Sequence, residues 1–222
     1  MADQVFLVED HPLSRQGEKA ILESEMNLEV CGEADTAVEA LEQIPEAEPD
    51  LAVVDLSLKK GSGLELIKDL QNRWPALPLL VVSMHDESLY ALRCLRAGAQ
   101  GYVMKRHASE VLVDAVQEVL DGRIYLSREM KDRLIQGFGE GDGAPADSPL
   151  DALSDRELQV FELLGQGMKV SQIAEQLHLS PKTIYSYQSR LKNKLGIEDT
   201  PKLRQRAIIW KENLDGESSD PL

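Results

Sequence analysis

Three acidic residues stand where carboxylates can be gathered. Glu9 and Asp10 follow the apolar run Val5–Val8, and Asp55 follows Leu51–Val54. A hydroxyl, Ser83, ends the run that starts at Leu79, and an ammonium, Lys105, follows Gly101–Met104. If these runs are neighbouring parallel strands, their carboxyl ends open onto the crevice where such sheets bind ligands. The side chains then converge on one edge. Carboxylates brought that close repel each other unless a cation joins them. An oxygen-rich set of this kind suits Mg²⁺, whose octahedral shell can be filled by two carboxylates, a carbonyl and waters. Taken singly, the acids could instead cap helices or face water, and Lys105 could be an ordinary surface lysine. The convergence of complementary groups from distant parts of the sequence favours the site.

The elements that must position these groups follow from periodicity. Short β-prone runs occur at Val5–Val8, Leu28–Cys31, Leu51–Val54, Leu79–Val82 and Gly101–Met104. Helical patterns lie between and after them, at about Pro12–Ser24, Thr36–Ile44, Leu64–Arg73, Leu89–Ala97 and Ser109–Asp121. Strands alternating with helices at this spacing imply an α/β doubly wound fold, a five-stranded parallel sheet covered on both faces. The nearly all-apolar central strands fit that burial.

The remainder of the 222-residue chain has a different character. Residues 137–150 contain four glycines and two prolines and read as a flexible linker. Residues 153–211 are helical throughout. Ser154 and Glu157 form a capping box, with Leu153 and Leu158 placed as a hydrophobic staple. Val160, Phe161 and Leu164 give that helix its apolar face. A turn at Gly165-Gln166-Gly167 leads to a short helix carrying Ile173, Ala174 and Leu177. After the turn His178-Leu179-Ser180, Ser180 caps a longer helix with Pro181 at its favoured first position. Its expected buried stripe is Ile184, Tyr187, Leu191 and Leu195. A fourth helix, about Pro201–Lys211, presents Leu203, Ala207 and Ile208 or Ile209, either to a second copy or to its own domain. The two central helices and their three-residue turn have helix-turn-helix spacing. On the exposed face of the second, Tyr185, Ser186 and Ser189 are candidates for base edges. Lys182, Thr183, Arg190 and Lys194 are candidates for phosphates.

Charge agrees with this division. Residues 1–150 carry a net −14, whereas residues 180–211 carry +6. A local positive segment can meet phosphate although the whole chain stands at −15. No apolar run is long enough to cross a bilayer, and the first residues lack the basic start of a secretory signal, so a cytoplasmic protein without membrane contact is expected. Cys31 and Cys94 read as buried free thiols.

Residues 1–122 resemble the receiver domain of bacterial response regulators, a flavodoxin-like fold. The likeness is carried by Glu9-Asp10 in LVEDHP, Asp55 in VVDLSLKKGSGLEL, Ser83 in VVSMHDE, Tyr102 in GAQGYVMK, and Lys105. Residues 151–211, LSDRELQVFELLGQGMKVSQIAEQLHLSPKTIYSYQSRLKNKLGI onward, resemble the four-helix helix-turn-helix domain of the LuxR/NarL (FixJ) regulators. These resemblances imply a phosphorylation-dependent, DNA-binding transcriptional regulator in a two-component system. Asp55 would accept a phosphoryl group from a partner sensor histidine kinase or a small acyl phosphate. Asp10, Asp55 and the Ser57 carbonyl would hold Mg²⁺, with Glu9 assisting through water. Lys105 would pair with the phosphoryl group, Ser83 would donate to it, and the switch aromatic Tyr102 would turn inward. The domain would also lose its phosphate slowly to water; no other enzymatic activity is implied.

In the family, the unphosphorylated receiver can cover the recognition helix, and phosphorylation favours separation and dimerisation. A homodimer on paired half-sites of double-stranded DNA is therefore expected. The implied bounds are a receiver at 1–125, a helical extension and linker at 126–150, the DNA-binding domain at 151–212 and a disordered tail at 213–222. The sequence departs from the common pattern at Arg106, where many receivers have proline. It also has Leu58-Lys59 in place of Met-Pro, with Lys59 able to lean over the acceptor. Tyr185 and Ser189 replace more basic residues of several relatives, and Tyr187 stands where a half-buried histidine is frequent. Rival readings are a DNA-binding regulator indifferent to phosphate, and a phosphoryl sink whose second domain contacts protein. Ser186→Ala and Ser189→Ala should each weaken preference at one or two base positions by about 1–3 kcal/mol in a binding-site selection. An unchanged preference would remove them from the groove.

Overall fold

The computed structural model describes residues 2–58, 61–139, 149–150, 152–177 and 179–217. Lys59, His178 and residues 140–148 of the glycine-rich stretch lie outside the described residues, as does the end of the chain from residue 218. The chain divides into two compact units, Met1–Glu140 and Gly141–Leu222.

The first unit is a parallel sheet with the order β2-β1-β3-β4-β5. Its strands are β1 (Asp3–Val8), β2 (Leu28–Ala34), β3 (Leu51–Val54), β4 (Leu79–Ser83) and β5 (Gly101–Met104). Between them run α1 (Pro12–Leu22), α2 (Ala37–Ala47), α3 (Gly63–Arg73) and α4 (Glu87–Ala97). A single 3₁₀ turn, Lys105–His107, then leads into α5 (Ala108–Leu120). β2 extends three residues beyond the expected run, because Phe6 to Val8 continue to pair with Gly32 to Ala34 after a register shift.

Both faces of the sheet are buried, and strand alternation shows how. Val5, Leu7, Leu51, Val53, Leu80, Val82 and Val103 pack into one cluster with Leu112, Ala115, Val116 and Val119 of α5 and Leu22 of α1. Successive side chains on a strand point to opposite faces, so Phe6, Val8, Ala52, Val54, Val81 and Tyr102 serve the other face. All of them are buried. Burying each large apolar side chain contributes roughly 1.5–3 kcal/mol, and continuous burial explains why these strands lack polar alternation. Cys94 is buried and Cys31 only half-buried, its thiol donating to the Val5 carbonyl at 3.5 Å; neither cysteine is in a disulfide.

After α5 the chain returns along the edge strand. Tyr102 N–H donates to Tyr125 O at 3.0 Å, and Tyr125 N–H to Gln100 O at 3.0 Å. Helix α6 (Arg128–Gly139) follows. Its backbone continues through Gly137 and Gly139, into the stretch expected to be wholly linker. Ser127 Oγ accepts from Met130 N–H at 3.1 Å, and Ser127 N–H donates to Glu87 on α4 at 2.8 Å.

The second unit is all helical. It comprises α7 (Asp155–Gly165), α8 (Val170–Gln176), α9 (Pro181–Leu195) and α10 (Thr200–Glu217). Ser154 N–H donates to Glu157 Oε2 at 2.8 Å and Glu157 N–H to Ser154 Oγ at 3.4 Å, the reciprocal cap expected at α7. Leu153 and Leu158 are both buried beside it. Gly167, at φ 77°, takes the left-handed conformation that lets the chain turn from α7 to α8. The helix at 200–217 is longer than expected and overlaps the segment anticipated as a frayed tail.

The stripe on α9 is shifted from the expected one. Ile184, Gln188 and Leu191 are the buried positions, while Tyr187 and Leu195 are half-buried. A polar residue at 188 hides this position from hydrophobic pattern reading. Leu203 and Ala207 are wholly buried, which assigns them to the core of their own unit. Ile209 remains 45% exposed.

Candidate functional site

β1 and β3 are adjacent, paired from Val5↔Leu51 to Val8↔Val54. The acids that follow them therefore emerge side by side at the same sheet edge. β4 lies next to β3 and β5 next to β4, which brings Ser83 and Lys105 to that edge as well. One carboxylate oxygen from each of Glu9, Asp10 and Asp55 lies within 4.8 Å of the others. Asp55 is only 4% exposed. Lys105 Nζ donates to Asp55 Oδ2 at 2.7 Å and also to Glu9 Oε2.

The second Asp55 oxygen, Oδ1, is buried and has no hydrogen-bond partner among the described residues. Burial of an anionic oxygen without a donor is costly, and this one belongs to an acid clustered with two others. An all-oxygen donor set with an unsatisfied carboxylate oxygen fits a hard divalent cation. These residues could therefore hold one.

The local backbone supports this placement. Asp55 N–H donates to Val8 O at 2.9 Å, and Glu9 N–H to Ala34 O at 3.0 Å. Gly63 packs against the acceptor turn so closely that a Cβ there would overlap the Asp55 carbonyl oxygen and lie 2.6 Å from Leu56 Cα. Ser57, two residues after Asp55, is exposed, and its hydroxyl meets His85 Nε2 at 3.0 Å. Ser83 is fully buried, with its Oγ accepting from His85 N–H at 3.3 Å. Tyr102 is 1% exposed and its hydroxyl donates to His85 O at 2.9 Å. The aromatic expected to turn inward thus already points inward here. His85, absent from the sequence-derived site, touches Ser57, Ser83 and Tyr102 at once. Nothing in its spacing announces that role.

Electrostatics mark the same place. Burial pushes the Glu9 carboxyl above its ordinary value, with Lys105 opposing and the charge on Asp55 adding to the rise. Burial disfavours the Lys105 ammonium, but Asp55 and Glu9 outweigh it and raise its pKa. Glu18 on α1 was also missed by sequence reading, since an acid on a helix gives no signal of burial. It is 5% exposed, and burial, reinforced by the charge on Glu9, pushes its pKa up to about 8.

In the second unit, Lys182, Tyr185, Ser186, Ser189 and Arg190 are exposed along α9. Ser186 Oγ donates back to Lys182 O at 3.1 Å. Thr183 is half-buried and joins the helix cap, its N–H donating to Ser180 Oγ at 3.1 Å and the two hydroxyls meeting at 2.8 Å. Arg190 lies over the Tyr187 ring, 5.6 Å from its centroid.

Lys194 is placed differently from expectation. Its ammonium bonds Glu157 Oε2 at 2.7 Å and Ala152 O at 2.9 Å, so it secures the start of α7. Burial pushes the Glu157 carboxyl up, but its bonds to Lys194 and Ser154 prevail and hold it below its ordinary value. The positive stretch is further tempered because Lys202 pairs with Glu198 at 2.7 Å and Arg204 donates to Met168 O at 3.1 Å.

Fold and site together define a receiver joined to a helix-turn-helix unit, and the comparisons place the chain among known proteins. Residues 5–117 match the response regulator receiver domain. Residues 151–207 match the bacterial regulatory proteins of the luxR family. The chain belongs to the LuxR-family response regulators, which are phosphorylation-dependent, DNA-binding transcriptional regulators. It is 37% identical to the DNA-binding transcriptional activator DevR/DosR of Mycobacterium tuberculosis, over 88% of this chain and 89% of that protein. It is 32% identical to the oxygen regulatory protein NreC of Staphylococcus carnosus, over 94% of this chain and 98% of that one. RcsB of Salmonella enterica serovar Typhimurium, solved bound to the rprA promoter in the presence of the phosphomimetic BeF₃⁻, superposes with a TM-score of 0.63 at 27% identity, covering 92% of this chain and 98% of that one. No described helix is long and apolar enough to cross a membrane.

The Glu18 carboxyl gives a pH prediction. Its folded pKa of about 8 lies above the ordinary 4.5, so the folded state binds the extra proton. Its burial is therefore best tolerated below about pH 4.5, and stability falls as pH rises from there through about 8. Thermal melts of Glu18→Gln should show a flatter decline across that window than the parent chain. Parallel declines in the two proteins would contradict the assignment.

Proposed function

We propose that Asp55 is the phosphoacceptor, served by a sensor histidine kinase, and that its modification controls binding of a homodimer to paired half-sites on double-stranded DNA. The observation that carries this reading is a buried Asp55, clustered with two further acids, with one oxygen on Lys105 and the other without a hydrogen-bond partner among the described residues. The free oxygen is a nucleophile held in place, and the ammonium is the cation ready for the product.

In the proposed reaction an Asp55 oxygen attacks the phosphorus of a kinase phosphohistidine in line. The new O–P bond forms as the N–P bond breaks, and the imidazole leaves with the bonding pair. Lys105 shifts its hydrogen bonds from carboxylate to phosphoryl oxygen, and Ser83 turns its hydroxyl to donate to another. Asp10, Asp55 and the Ser57 carbonyl would hold Mg²⁺, with Glu9 assisting through water; bound there, the ion would neutralise charge developing on the phosphoryl oxygens.

Movement of Ser83 disturbs the His85 N–H that now rests on it, and through His85 O the Tyr102 hydroxyl. Tyr102 N–H is bonded to Tyr125 O in the segment that leads to α6, and Glu87 on α4 holds Ser127 just before α6. A change at Asp55 thereby has a bonded route to the helix that leaves the receiver.

We assign the receiver to residues 1–125 and the DNA-binding domain to 151–212. On α9, Tyr185, Ser186 and Ser189 face base edges, while Lys182, Thr183 and Arg190 serve phosphates. The promoter-bound RcsB relative supports this use of the domain.

Asp55→Ala should form no acid-labile phosphoprotein with acetyl phosphate and Mg²⁺. In an electrophoretic assay, the phosphodonor should raise operator affinity of the parent chain and leave that of the variant unchanged. Equal affinity of the parent chain with and without measured phosphorylation would overturn the control proposed here.

A further inference from the structure

Arg15 lies in the first turn of α1, and its side chain is 18% exposed. Its Nη1 donates to the backbone carbonyl of Glu9 at 2.7 Å. Its Nε pairs with Glu33 on β2 at 3.0 Å, and the guanidinium also pairs with Asp35, just past the end of that strand. One side chain therefore ties the acid-bearing turn after β1 to the end of β2. The turn is secured from its other side too. Glu9 N–H is bonded to Ala34 O, and Glu9 Oε1 accepts from His11 N–H at 2.8 Å.

Peptide planarity converts this anchoring into positioning. The Glu9 carbonyl oxygen and the Asp10 nitrogen lie in one rigid plane. Anchoring that oxygen, with Glu9 N–H already bonded, restrains rotation of the plane from which the Asp10 Cα hangs, and so the place from which its side chain leaves the backbone. Glu9 has its own side-chain anchors in Lys105 and His11 N–H. Asp10 is the least buried of the three acids and stands on the turn that Arg15 holds. A planar guanidinium presents donors from three nitrogens in a fixed fork that can serve a carbonyl and two carboxylates at once, whereas a lysine ammonium is a compact charge on a flexible stem, its donors all on one nitrogen.

We propose that Arg15 is a positioning residue for the divalent-cation site, setting the Glu9–Asp10 peptide plane and thereby the aim of Asp10. The inference rests on reading Glu9, Asp10 and Asp55 as that site. Arg15 touches none of the reacting atoms; it acts through the backbone of the acidic pair. Groups that hold metal ligands in place commonly change metal affinity about 10–100-fold when removed.

The test is isothermal titration calorimetry of Mg²⁺ into the full unphosphorylated chain, comparing parent, Arg15→Ala and Arg15→Lys. The dissociation constant should rise about 10–100-fold for Arg15→Ala and less for Arg15→Lys. The Mg²⁺ concentration that half-saturates phosphorylation by acetyl phosphate should rise in parallel, while the rate at saturating Mg²⁺ stays close to that of the parent. Circular-dichroism melts identify a variant that fails to fold, in which case Arg15→Lys decides the matter. Parental Mg²⁺ affinity in the folded variants, or a lost plateau rate at unchanged affinity, would overturn the proposal. A parent chain that binds no Mg²⁺ would instead overturn the reading of the acidic cluster itself.

Discussion

Carboxylates crowded at the edge of a buried sheet must be held together by positive charge. In this structure Lys105 supplies it, reaching from the end of β5 to Asp55 and Glu9. In the low-dielectric surroundings of a packed sheet such interactions are much stronger than in water, and so is the cost of leaving a partner out. The order β2-β1-β3-β4-β5 is what makes the meeting possible, because β1 and β3 become neighbours and β5 lies two strands from Asp55. Removing any one of these placements leaves either acids without a cation or a half-buried cation without its acids.

The same arrangement links local charge to wider structure. Ser83 and Tyr102 both bond to the backbone of His85, and His85 bridges to Ser57 beside the acceptor. Tyr102 also belongs to the strand against which Tyr125 runs, and Glu87 holds Ser127 where α6 begins. Under the proposed function, a phosphoryl group that captured Lys105 and Ser83 would strain these bonds together. Packed interfaces tend to shift between discrete arrangements rather than deform continuously, which suits a switch.

Much of this was legible in the sequence because it depends on strong periodic signals. Val53 and Val54 read as buried strand because both sheet faces are covered, and Asp55 read as a strand-end acid from its position alone. The capping box at Ser154 and Glu157 was legible because its chemistry is local. What escaped depends on contacts between distant residues. Gln188 is 3% exposed inside the second unit, with an amide nitrogen that has no hydrogen-bond partner among the described residues, and no hydrophobic pattern marks it. Glu18 sits on the buried side of α1, and the spacing that makes Lys194 a phosphate candidate gives no sign of its bond to Glu157. For Leu203 the sequence left open a second copy or its own domain, and burial favours the latter. For Gln188 and Glu18 the residue's type suggested an exposed role that packing overrode.

The most direct measurement of the central claim is chemical trapping of the acyl phosphate. After incubation with acetyl phosphate and Mg²⁺, borohydride reduction converts a phosphorylated aspartate to homoserine, which peptide mass spectrometry can locate. The account predicts homoserine at position 55, with none at 10. Homoserine at another aspartate, or phosphate recovered on a histidine with Asp55 unmodified, would contradict it.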